Sequence, residues 1–284
     1  MALYQIEEIG ELTDPVMIVA FEGWVSAGSA GTGTADHIAA DGRTIATFDS
    51  DSLFDYRANR PTVEFVQGVV RDIHWPQMSM RHVVVDDRDL LVLTGAEPNW
   101  NWQRLGTEVA ALGVELGIVE HISLGGIPWA TPHTRPTSII TTASEEDRIP
   151  EGADRPEGLL RAPGAAVSIV EEYVRRAGLP TMGFWARVPH YVGTTYYPAV
   201  LALVERVRSH LGLGIPLGDL IDDADRQRQQ LDAIIENQPS ARAIVEQLES
   251  LADDSDAVSG EELAAEIERF LRQEGTDGSG FGSE

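Results

Sequence analysis

Three carboxylates and two histidines stand where apolar runs give way to loops. Glu22, Asp49 and Glu97 each follow a run that reads as a β-strand, and His133 and His190 follow two more, in Pro-His-Thr and Pro-His-Tyr. If those strands are parallel, all five side chains lie on one rim of a sheet, where open α/β sheets bind their ligands. Paired carboxylates at such a rim can transfer protons or hold a cation. Two histidines at one rim can act as acid-base groups or as metal ligands. The structural alternatives are a turn-forming Asp49, salt bridges to Arg57, Arg60 or Arg135, and histidines that bond loop backbone. Neither histidine has a ligand partner at helical i, i+4 spacing, so no metal set is assigned. No catalytic residue and no cofactor is assigned. The candidate ligand pocket is Glu22, Trp24, Glu97, Asn99, His133, Arg135, His190 and Tyr191.

Other motifs fall short of known chemistry. The small-residue stretch from Ser26 to Ala40 carries Gly28, Gly31 and Gly33, but no Gly-x-Gly-x-x-Gly follows the strand. Phosphate held by helix N-terminal amides is one reading of this stretch; close helix-sheet packing through small residues is the other. No Gly-x-Ser-x-Gly pentapeptide occurs, and Ser26 in Trp-Val-Ser-Ala-Gly is only a partial likeness. All 21 basic residues are arginine, which excludes Schiff-base and Walker-type lysines, and the absence of cysteine excludes thiolate chemistry and disulfides. A net charge of -25 repels phosphate backbones, so nucleic acid is not an expected partner. There is no apolar run of membrane-spanning length and no basic segment ahead of one at the N-terminus. A cytoplasmic protein without a membrane partner is expected.

The elements that must position these residues alternate. Val16 to Phe21, Arg43 to Phe48, Leu90 to Thr94, Val119 to Leu124, Thr137 to Thr142 and Thr181 to Val188 read as strands. The strand from Val119 is expected to break at Gly125-Gly126. Ser26 is a plausible N-cap for the helix of the small-residue stretch. Thr62 to Asp86 reads as β structure with turns. The helix after Asn99 has Trp102, Leu105, Val109, Leu112 and Leu116 on one face. Pro163 to Ala177 and Pro198 to Leu211 read as helices, the first with Pro163 in its opening turn. This pattern gives an α/β fold: three layers, with a mixed, largely parallel sheet between helices. After Gly218 only helices follow: Asp219 to Asn237, Ser240 to Leu251, and Gly260 to Gln273 with a Ser259/Glu262 capping box. From Asp219 to Glu284 there are 18 acidic residues and 5 arginines, a net of -13. The expected organisation is a core over 1–214, a helical appendage over 215–273 and a disordered tail over 274–284.

Five segments in order carry a resemblance. They are Phe21-Glu22-Gly23-Trp24 with Ala27-Gly28, Asp55-Tyr56-Arg57 with Arg60-Pro61, Glu97-Pro98-Asn99 with Trp102, Pro132 to Pro136, and Val188 to Val192. Together they resemble the proteasome assembly chaperone 2 family in its actinobacterial-type branch, over roughly Val16 to Leu220. The resemblance implies a nucleoside phosphorylase-like core and a β-hairpin insertion within Val63 to Val85 used in oligomerisation, with a homotrimer as the assembly. It also implies C-terminal helices acting as a lid over the pocket, and a proteasome-related partner. For this branch it implies no molecular activity. Two departures stand out. Ser26 occupies a position often held by Asp in this branch. The chain ends Phe281-Gly282-Ser283-Glu284, not in the hydrophobic-tyrosine-any tripeptide of proteasome-docking relatives. Two readings stay open: an oligomeric interaction protein, and a small-molecule-binding enzyme of hydrolase or phosphorylase-like type with its pocket at the sheet rim.

Overall fold

The computed structural model describes residues 2–254. Its strands are β1 (Tyr4–Ile6), β2 (Val16–Phe21), β3 (Arg43–Phe48), β4 (Thr62–Val66), β5 (Val69–His74), β6 (Met78–Val85), β7 (Arg88–Gly95), β8 (Glu120–Trp129), β9 (Ile139–Ala143) and β10 (Thr181–Pro189). Eight of them form one sheet in the order β1-β3-β6-β7-β2-β8-β10-β9. At its centre β7, β2, β8 and β10 pair in parallel, and antiparallel pairs finish both sides. β3 also runs with the central four, so five strand ends share one rim.

The helices are α1 (Ala30–Ile38), α2 (Ser50–Leu53), α3 (Trp102–Glu115), α4 (Ala166–Arg176), α5 (Tyr197–Leu211), α6 (Leu220–Glu236) and α7 (Pro239–Asp254). All six residues of β2 are buried because both its faces are covered. Val16, Ile18 and Ala20 meet the α1/α5 layer, and Met17, Val19 and Phe21 meet the α3/α4 layer. This is why the strand reads as continuous hydrophobicity. Burying such a side chain is worth about 1.5–3 kcal/mol. The expected three-layer α/β fold is therefore present, with a mixed sheet between helices.

Three local expectations are corrected. The strand that begins after Val119 does not stop at Gly125-Gly126; β8 runs through both to Trp129. Beyond Val19 the pairing of β2 with β8 ends, and the loop after β2 takes its place: Gly126 N–H donates to Val25 O at 2.8 Å. A Cβ at Gly126 would lie 2.2 Å from Ala27 O, so glycine admits the loop there instead of breaking the strand. Secondly, α4 starts at Ala166, three residues after Pro163, because the Glu97 carboxylate accepts the Ala166 N–H at 2.8 Å. Thirdly, Ser26 caps no helix. A 3-10 turn, Ala27–Ser29, intervenes, and left-handed Ser29 (φ 48°) precedes α1.

The Thr62 to Asp86 region divides in two. β6 joins the main sheet, whereas β4 and β5 pair only with each other. Gln67 and Gly68 connect them at φ 51° and 79°, the two positive values a tight hairpin turn needs. The expected helix Gly260 to Gln273 with its capping box, and the tail 274–284, lie outside the described residues.

Candidate functional site

β8 and β10 are parallel neighbours in register as far as Trp129 opposite Pro189. Their ends therefore deliver the two Pro-His segments side by side. His190 N–H donates to Trp129 O at 3.2 Å, and the chain then turns so that Tyr191 meets His133. The His133 ring is 1% exposed. Its backbone N–H donates to the Tyr191 hydroxyl at 2.8 Å, and its Nδ1 lies 2.7 Å from the same oxygen. Its Nε2 faces Asp232 Oδ1 on α6 at 3.2 Å.

One proton arrangement of the neutral ring satisfies all three contacts. Tyr191 O–H donates to Nδ1, and Nε2–H donates to Asp232. Burial above all, with the negative charges of Glu249 and Asp232 adding to it, pushes the Tyr191 phenol up to about 12, against the His133 N–H that holds it down. The hydroxyl therefore stays protonated at neutral pH and can serve as that donor. His190 stacks edge-on to Tyr191 at 5.5 Å between centroids. Thr134 Oγ1 donates to the Glu249 carboxylate of α7, so both C-terminal helices reach this loop.

The remaining predicted residues serve the frame. Glu97 holds two loops at once: one carboxylate oxygen takes the Ala166 N–H, and the other takes the Trp24 N–H at 3.4 Å. Gly23, at φ 109°, leaves room for that carboxylate, since a Cβ there would lie 2.7 Å from Glu97 Oε2. Asn99 Oδ1 accepts from Asp55 N–H at 2.8 Å and from Asn59 Nδ2 at 3.0 Å, which shapes the loop before β4. Glu22 is exposed, its N–H bonded to Gly95 O at 2.9 Å. Arg135 is exposed on a turn whose N–H reaches Pro132 O at 3.5 Å. The structure thus brings His133, His190 and Tyr191 together, joins Glu97 to Trp24, and sets Asn99 apart with the 55–59 loop.

Sequence reasoning missed Asp232 and Glu249, which approach from helices about a hundred residues away. It also missed a cavity of about 500 Å³ between α4 and the β8–β10 side of the sheet. Trp24 lines it; the two histidines, Glu97 and Arg135 do not. Among the described residues no cluster of three His, Asp or Glu could hold a metal ion, and no helix is long and apolar enough to cross a membrane.

Comparison with known proteins places this architecture. The PAC2 family model matches residues 20–235. A Mycobacterium tuberculosis protein of unknown function, Rv2714, is 31% identical with a TM-score of 0.86, covering 95% of this chain and 96% of its own. A PAC2 family protein from Streptomyces avermitilis is 34% identical with a TM-score of 0.73, covering 83% and 99%. A proteasome-assembly chaperone homologue of M. tuberculosis, Rv2125, is 31% identical with a TM-score of 0.74, covering 81% and 99%. No curated protein matches the chain. The family match spans most of the chain, and relatives above 30% identity share the sheet and its flanking helices. The chain belongs to the PAC2 family.

Proposed function

We propose that this chain is an oligomeric interaction protein of the proteasome-assembly-chaperone type, with the β4–β5 ribbon as its self-association surface. The ribbon carries the reading. Every residue of both strands is exposed, and Val63, Phe65, Val66, Val69, Val70, Ile73 and neighbouring Trp75 are 39–62% exposed. An apolar surface of that kind marks an interaction site. The assembly is a homotrimer in the cytoplasm, and residues 1–214 form a core over which 215–273 act as a lid. The similarity to a chaperone homologue supports a proteasome-related partner.

The test is the mass in solution, by light scattering, of the native chain and of the Phe65→Glu/Val70→Glu variant. A trimer that becomes a monomer with unchanged circular dichroism is expected. A native chain that is already monomeric overturns the assembly. Capture on 20S proteasome, with and without residues 215–284, tests the partner; no capture in either form overturns it.

A second reading has its own support. The Tyr191–His133–Asp232 chain of hydrogen bonds suits proton transfer to a small molecule at the rim under the helices. A thermal-shift screen with nucleosides, phosphate and amino acids tests it. A specific shift that disappears in His133→Gln is expected; no shift with any of them overturns it.

A further inference from the structure

We propose that the cavity between α4 and the β8–β10 side of the sheet binds a flat, mainly apolar small molecule bearing a cationic amine, with Glu171 as the polar anchor. This site does not depend on the oligomer reading or on the two rim histidines.

Its walls come first. Trp24, Val25, Ile127, Ile140, Leu160 and Trp185 surround about 500 Å³, a size that suits a drug-sized ligand. The Trp185 indole is fixed in place by its Nε1–H, which donates to Thr142 Oγ1 at 3.0 Å. Two glycines clear the space that it occupies. A Cβ at Gly125 would lie 2.7 Å from the indole, and one at Gly183 would lie 2.3 Å from Thr142 Oγ1 and 2.7 Å from the indole nitrogen. The result is a flat aromatic wall built across two strands, with a second indole, Trp24, also lining the space.

The polar groups come next. Glu171, on α4, contributes a carboxyl beside the hydroxyls of Ser123 and Thr181. Thr181 is 1% exposed and lines the cavity, with its hydroxyl beside the Glu171 carboxyl. Burial raises the Glu171 carboxyl above its ordinary value, the two hydroxyls oppose that, and Glu172 adds to it. No basic side chain stands among those influences.

The chemistry of the ligand follows. The chain has no lysine, and the arginine lining the cavity, Arg175, is bonded to Glu172 at 2.8 and 3.0 Å. An anionic ligand would bring like charge against the Glu171 carboxyl, and Arg175, held by Glu172, is the cation the lining offers it. An ammonium supplies the positive charge that the Glu171 carboxyl lacks among its neighbours, and indole faces favour a cation as well.

Calorimetry of the full chain with tryptamine, indole and indole-3-acetate tests this. Tryptamine is expected to bind, indole to bind about tenfold more weakly, and indole-3-acetate to give no heat. Glu171→Gln is expected to weaken tryptamine by about tenfold and to leave indole unchanged. Ser168→Trp, which fills the cavity from α4, is expected to abolish both. Circular dichroism and the melting temperature establish that each variant folds. Equal binding of indole-3-acetate and tryptamine, no heat from tryptamine at millimolar concentration, or an unaltered affinity in folded Glu171→Gln overturns the proposal.

Discussion

His133, buried in the loop that follows β8, aims Nε2 at the Asp232 carboxylate of α6 from 3.2 Å, across 99 positions of sequence. The contact ties an inner strand end to a helix laid on from outside. Only the histidine is enclosed; the Asp232 side chain is 57% exposed.

Asp232→Ala is therefore expected to cost little overall, about 0–1 kcal/mol, as an exposed charge pair does. Its effect is expected to be local. Amide hydrogen exchange in α6 and α7 should quicken while the central strands keep their protection. Equal acceleration in β2 and β8 would refute this.

Glu97→Ala removes an acceptor shared by the first N–H of α4 and the loop at Trp24. A loss of about 1.5–3 kcal/mol is expected from urea unfolding, as for hydrogen bonds to a charged group. Glu97→Gln retains an acceptor and should lose less. The two variants matching the native chain would show that neither bond matters to stability.

Gly183→Ala places a Cβ against Thr142 and the Trp185 indole. Overpacking of this kind costs about 1–3 kcal/mol. A shifted tryptophan emission maximum is expected beside the lower midpoint, because the indole must move. An unchanged spectrum and midpoint would refute the fit described for this wall.

His121 makes an acid-limb prediction. It is fully buried, and desolvation pushes its imidazole down to about 3 despite the opposing charge of Glu120. Below pH 6.5 the unfolded chain binds a proton that the folded chain refuses until about pH 3. Its contribution is thus present above 6.5 and falls with decreasing pH, by at most about 1.4 kcal/mol per pH unit. Glu171 acts with the opposite sign: its raised carboxyl costs stability above its folded pKa, and that cost is relieved as pH falls. In Glu171→Gln the acid limb should therefore steepen, which denaturant midpoints across pH 3–7 will read.

The fold was legible because its signals are local. β2 has six apolar residues in a row, and α3 keeps a stripe from Leu105 to Leu112. The errors arose where distant groups decide the outcome. Gly125-Gly126 looks like a break until the loop at Val25 is seen lying against it. Pro163 looks like a helix start until Glu97 fixes the first N–H at Ala166. The two Pro-His segments were readable as twins, but Asp232 sits in an acidic stretch with nothing to distinguish it from its neighbours. The buried group around Glu171 left one trace. His121 and Ser123, two apart in a strand, must share a face, and here His121 Nε2 lies 3.0 Å from Ser123 Oγ.

The β4–β5 ribbon has a consequence in time. A two-stranded ribbon with no layer against it is only marginally stable in water. Its open strand edges and valine-rich faces also suit indiscriminate pairing. Under the proposed self-association, a newly made chain finishes folding only when its siblings arrive, and until then it races against sticking to the wrong neighbour. Slow or uneven synthesis of this protein is expected to end in aggregates seeded at residues 62–74, long before its interior loosens.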